Sequence, residues 1–138
     1  VNYEEANLTT RVKLETKGFS EYLEKIVKAG QNVDIAADQA LAAGGDILLG
    51  GMQRRVPKDT HNLEQHLVVD GPHRDGNFHY VEVGLAKHAD AETARYGNAQ
   101  EYGTSSMPAQ PYIRPTLDSD MGKARKAMRA VFEALGLI

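Results

Sequence analysis

His66-Leu-Val-Val-Asp-Gly-Pro-His-Arg-Asp-Gly-Asn-Phe-His-Tyr-Val-Glu-Val-Gly-Leu85 decides the fold. His66–Val69 and Phe78–Leu85 are rich in β-branched and aromatic residues, and a polar run with two glycines and a proline separates them. That pattern predicts a β-hairpin with a turn over Asp70–Asn77. The second strand has the faces Phe78/Tyr80/Glu82 and His79/Val81/Val83/Leu85, of which the second is the better core face. Most of the remaining chain reads as helix, so the sheet must be small and must pack on helices.

Upstream, Leu8, Thr10, Val12, Leu14 and Thr16 fall at every second position, the period of a strand. Gly18 ends it. Phe19, Tyr22, Leu23, Ile26 and Val27 then recur at helical spacing, with Ser20 as N-cap and Gly30 as stop. A longer helix is expected over 32–55, with a stripe of Val33, Ala36, Ala37, Ala40, Leu41, Ile47, Leu48 and Met52. Its glycines, Gly44, Gly45, Gly50 and Gly51, each weaken it by about 1 kcal/mol relative to alanine and invite a kink or a close neighbour. Pro57 closes it. Asp59, Thr60 and Asn62 then suit a turn, with Thr60 capping a short helical segment at Leu63-Glu64.

Downstream, 86–100 has no strong period and reads as a loop followed by a short helix near Tyr96–Tyr102. Residues 101–115, Glu-Tyr-Gly-Thr-Ser-Ser-Met-Pro-Ala-Gln-Pro-Tyr-Ile-Arg-Pro, hold three prolines, Pro108, Pro111 and Pro115. Each fixes φ and removes a donor, so the segment is a rigid loop. It nevertheless carries Tyr102, Met107, Tyr112 and Ile113. Such a loop is pinned to the body by its apolar side chains or offers them to a partner, and both readings stand. Leu117, Met121, Ala124, Met128, Val131, Phe132 and Leu135 mark a long C-terminal helix with Pro115 in its first turn. The expected class is α+β: an N-terminal strand plus a β-hairpin forms a small antiparallel sheet on two to three helices, as one domain over 1–138.

The 138 residues suffice for one core, and 41% apolar with 25% charged content argues against global disorder. No apolar run could span a bilayer, and the start, Val1-Asn2-Tyr3-Glu4-Glu5, is unlike a secretory signal. The absence of cysteine excludes disulfides and thiolate metal sites and agrees with a cytosolic setting. A net charge of −3 disfavours general capture of nucleic acid. Two basic runs go against that balance: Lys123, Arg125, Lys126 and Arg129, and Arg54, Arg55 and Lys58. They read as solvated helix faces and helix C-terminal charges.

Catalytic patterns are not evident. His61, His66, His73, His79 and His88 lack metal-ligand spacing and read as isolated surface residues. His73 falls in the hairpin turn, and His79 on the outer face of a strand. There is no nucleophile elbow and no phosphate loop. Asp59 is explained by capping rather than by an acid–base pair with His61. The chain reads as a non-enzyme with no cofactor and no metal.

Two segments resemble the tail-completion, or head–tail joining, proteins of long-tailed phages and prophages. The first, Arg55-Val-Pro57-Lys-Asp59-Thr60-His61-Asn62-Leu63, is similar to that family's turn after a long helix. The second, Glu101-Tyr102-Gly103-Thr104-Ser-Ser-Met107-Pro108-Ala109-Gln-Pro111-Tyr112-Ile-Arg114-Pro115, is similar to its loop before the last helix. The likeness runs from about Gly18 to the C-terminus. It departs at His61, where the family favours Gly, and at Glu64, where a basic residue is common. The resemblance implies a structural protein of the virion neck, assembled in the host cytoplasm. It implies a six-fold ring of self-contacts that caps the head-proximal end of the tail tube. Tube protein and the head–tail connector would be its partners, no membrane is involved, and DNA passes through the lumen without sequence-specific binding. An acidic lumen would let DNA slide. Competing readings are a head-completion protein sealing the portal, a small hydrolase using His61 and Asp59, and a domesticated host adaptor.

Overall fold

The computed structural model describes residues 10–57, 62–87 and 89–136. Leu8, Asp59, Thr60, His61 and His88 lie outside the described residues. Strand β1 is Arg11–Glu15, and a short 3-10 turn leads into α1, Ser20–Lys28. Helix α2 is Val33–Arg55 and α3 is Asn62–Gln65. Strands β2, Leu67–Asp75, and β3, Phe78–Leu85, follow. Helices α4, Ala91–Tyr102, and α5, Ile113–Gly136, complete the chain. The class is α+β, as expected.

The sheet is antiparallel in the order β1-β3-β2. Val12 lies opposite Val83 and Leu14 opposite Val81, so the alternation read from the sequence is the buried face of β1. The hairpin differs from expectation. β2 continues to Asp75 and only Gly76-Asn77 turns the chain. Its register shifts between Asp70 and His73, so Gly71 and Pro72 are set aside as a bulge and pairing resumes beyond them. Gly76, at φ +64°, supplies the left-handed residue that a two-residue turn needs.

Helix α2 runs unbroken between the sheet and α5. Asn32 caps it, its side chain accepting from the amides of Asp34 and Ile35. The glycines have a packing reason. A Cβ on Gly44 would lie 2.8 Å from a methyl of Leu14 and 2.9 Å from Met128, and one on Gly45 would press on Val69. The helix therefore touches β1, β2 and α5 at backbone distance. Helix α1 docks on the far end of α5 through Phe19, Tyr22 and Phe132, with Phe19 and Phe132 ring centres 5.3 Å apart.

Two expectations about α1 are corrected. Ser20 is its first helical residue rather than its cap, and its hydroxyl donates to the Lys17 carbonyl. Val27 is 58% exposed rather than part of the core. Helix α4 also begins earlier than expected, just after Asp90, whose carboxylate accepts from the Thr93 hydroxyl. No described helix is long and apolar enough to cross a membrane.

Candidate functional site

The proline-rich loop between α4 and α5 starts from a buried acid. Glu101 is 3% exposed at the end of α4. Its Oε1 accepts from the amides of Tyr112 and Ile113 at 2.8 and 2.7 Å, and its Oε2 from the amide of Arg114 at 3.0 Å. A helix leaves its first amides without internal partners and carries positive potential there. One carboxylate satisfies three donors at the start of α5, those of Tyr112 just before it and of its first two residues, so Glu101 caps a helix that begins twelve residues later. Pro115, in the same first turn, has no amide to satisfy.

The rest of the loop is tied down at its base. Gly103, at φ +78°, reverses the chain, and its amide closes α4 on the Ala99 carbonyl. Thr104 and Met107 exchange backbone hydrogen bonds, and the Gln110 amide donates to the Gln100 carbonyl at 2.7 Å. Tyr112 is fully buried and its hydroxyl donates to the Gly97 carbonyl. Burial, then the nearby Glu101, pushes its phenol well above the ordinary tyrosine range. Thr104, Ser105, Ser106, Pro108, Ala109, Gln110 and Pro111 are exposed, while Tyr102 and Met107 are half-buried. Both sequence readings therefore hold, on different residues. Glu101, Tyr112 and Ile113 pin the loop, and the tip projects.

The first motif joins the second. Arg55, in the last turn of α2, donates to Asp120 at 2.7 Å, to the Thr116 hydroxyl at 3.3 Å and to the Gly51 carbonyl at 3.2 Å. Asp120 is 1% exposed, so its charge requires this partner. Thr116 in turn donates to the Tyr112 carbonyl. Leu63 is buried beside Gly97, the residue that Tyr112 bonds. Pro57 is half-buried and Arg114 is exposed with Asp118 at 3.7 Å. The motif residues Arg55, Leu63, Glu101 and Tyr112 thus form one scaffold under the loop. Asp59 and Thr60 of the first motif lie outside the described residues.

A second feature sits at the other end of α2. A groove of about 730 Å³ runs between α1 and the hairpin. Leu23, Val27, Val33 and Phe78 give it apolar walls, and Asp34, Arg74 and His79 its polar floor. His79 is here, which corrects its assignment as a surface histidine. It is 4% exposed on the core face of β3. Its Nδ1 lies 2.7 Å from Asp38 and its Nε2 3.1 Å from Asp34. Carboxylates only accept, so both bonds form together only when the ring carries two protons. Arg74 closes on the other oxygen of Asp34 at 3.3 Å. Strand period was the signal for burial, and nothing in the spacing pointed to the two aspartates.

Asp70, His73 and Glu82 converge on the outer face of the sheet, close enough for one ion. Arg11 and Lys87 already bridge both acids. The Arg11 hydrogen bond holds the Asp70 carboxyl below its usual range. That is a surface ion network with its charge already compensated.

Residues 17–103 match the family model HK97-gp10-like, described as "Bacteriophage HK97-gp10, putative tail-component". The match spans well over half of the chain and contains the first motif. It ends at Gly103, so most of the proline-rich loop lies beyond it. No curated protein matches the chain, and no solved structure does.

Proposed function

This chain belongs to the HK97-gp10-like family of phage tail components, a structural rather than an enzyme family, and from that premise we propose that it is a neck protein that completes the tail. In this reading it acts as one domain, caps the head-proximal end of the tail tube and joins it to the head connector. It does so as a ring, a hexamer, around the DNA channel. A tail component belongs to the virion, and assembly would take place in the host cytoplasm.

The observation that supports the ring is the placement of loop and groove. The loop projects at the C-terminal end of α2 and the groove opens at its N-terminal end. The helix has 23 residues, so its two ends lie about 35 Å apart. Two different patches at opposite poles are what a heterologous, ring-closing contact needs. The loop tip, Thr104 to Pro111, would enter the neighbour's groove with little ordering cost, since proline and the Glu101 anchor have already fixed it. Among the described residues the outer edges of β1 and β2 pair with no further strand, and they remain for tube or connector protein.

The chain has no cysteine, which gives a clean test. A variant carrying both Val27→Cys and Ala109→Cys is introduced into assembled particles and oxidised. The two sites are too far apart to join within one chain. A ladder of cross-linked species ending at a closed six-fold ring is expected. Monomers alone would sink the loop-in-groove contact.

A further inference from the structure

The chain is acidic overall, yet α5 carries Lys123, Arg125, Lys126 and Arg129 within two turns, with no acid between Met121 and Ala130. All four are exposed. Helix C-terminal charge does not account for them, because the last turn of α5 contains no basic residue. The other basic run behaves differently. Arg54 and Arg55 are in the last turn of α2 and both reach Asp120. On α5 only Lys123 approaches that acid, at 3.8 Å. Among the described residues Arg125, Lys126 and Arg129 take part in no ion pair.

Arg125 and Arg129 are one turn apart and line the same recess of about 380 Å³, with Phe19, Tyr22 and Glu15. Glu15 is engaged by Lys13 and Lys17 rather than by these arginines. Like charges at this spacing weaken a helix by roughly 0.2–0.5 kcal/mol, and nothing inside the described fold offsets that. Small residues, Gly122 and Ala130, lie exposed beside the cations, and no atom stands within 4 Å of where a Cβ on Gly122 would be. A backbone can therefore approach closely. The four cations span about 9 Å along the helix, on the scale of successive phosphates of a nucleic-acid strand. Guanidinium forks suit phosphate oxygens.

We propose that the exposed face of α5 from Lys123 to Arg129 binds the phosphate backbone of duplex DNA without regard to sequence. The inference rests on the charge geometry of α5 and is independent of the ring. It runs against the expectation drawn from net charge, because what a phosphate meets is the local face and not the sum.

The test uses the full chain and a fluorescein-labelled 30-base-pair duplex, followed by anisotropy as sodium chloride is raised from 20 to 200 mM. Three to four phosphate contacts predict a slope of log K against log salt of about −3. Two duplexes of unrelated sequence should bind equally. The double variant Arg125→Gln/Arg129→Gln should bring the slope to about −1 with its melting temperature unchanged. Arg95→Glu, the same change in net charge on exposed α4, should leave the slope as it was. No binding at 20 mM salt would overturn the proposal, as would an equal loss in both variants. So would a matched polyglutamate that binds where the duplex does not, since the partner would then be an acidic protein.

Discussion

Glu101 shows how one side chain can position a long loop. Its carboxylate meets three amides at the start of α5 while buried, so truncation leaves those donors and the helix potential uncompensated. Glu101→Ala should destabilise the fold by ~3 kcal/mol, read from the urea midpoint. Glu101→Gln keeps one acceptor oxygen and should lose roughly half as much; equal effects of the two would argue against the charge. Tyr112 gives a pH signature. Its phenol stays protonated in the fold when that of the unfolded chain ionises, so its folded pKa is raised. That contribution is fully present below the ordinary phenol value of about 10 and is lost as pH rises above it. The urea midpoint should fall between pH 8 and pH 11, and Tyr112→Phe should flatten that fall; an unchanged slope would contradict the assignment. The packing of Tyr112 was one of the two readings that the loop allowed, but the capping by Glu101 and the partners of His79 were not legible in the sequence. A cap twelve residues upstream of its helix obeys no spacing rule, and the carboxylates around His79 come from α2, far away in the chain.

At the scale of elements, what could be read depended on whether burial coincided with an apolar period. β1 and α5 bury apolar residues at regular spacing, and both stood out. Helix α4 buries Thr93, Gly97, Gln100 and Glu101, so it offered no stripe and its first turn was missed. The bulge at Gly71-Pro72 hid the true length of β2, because turn residues there interrupt a strand without ending it. The α2 glycines were legible as a packing device but not by partner. A Cβ at Gly51 would collide with the Asp120 carboxylate that Arg55 holds. Gly51→Ala should therefore destabilise by ~3 kcal/mol despite the better helix propensity of alanine, as a thermal melt would show. A gain in melting temperature would mean that α2 and α5 can separate without loss of the ion pair.

For the whole molecule, the proposed loop-in-groove contact puts assembly on residues other than those that hold the fold. The scaffold of Arg55, Leu63, Glu101 and Tyr112 is internal, whereas the loop tip and the groove walls face outward. Ala109→Asp on the tip and Val27→Asp in the groove should each change stability by less than about 0.5 kcal/mol. Each should nevertheless abolish joining of heads to tails, scored as infectious titre beside an unchanged melt. The most direct measurement is electron microscopy of particles from a parent phage or induced prophage lacking this gene. A tail-completion protein predicts full heads beside tails that are unjoined or overlong. Normal tails beside emptied heads would move the protein to the portal seal, and intact infectious virions would contradict a neck role altogether.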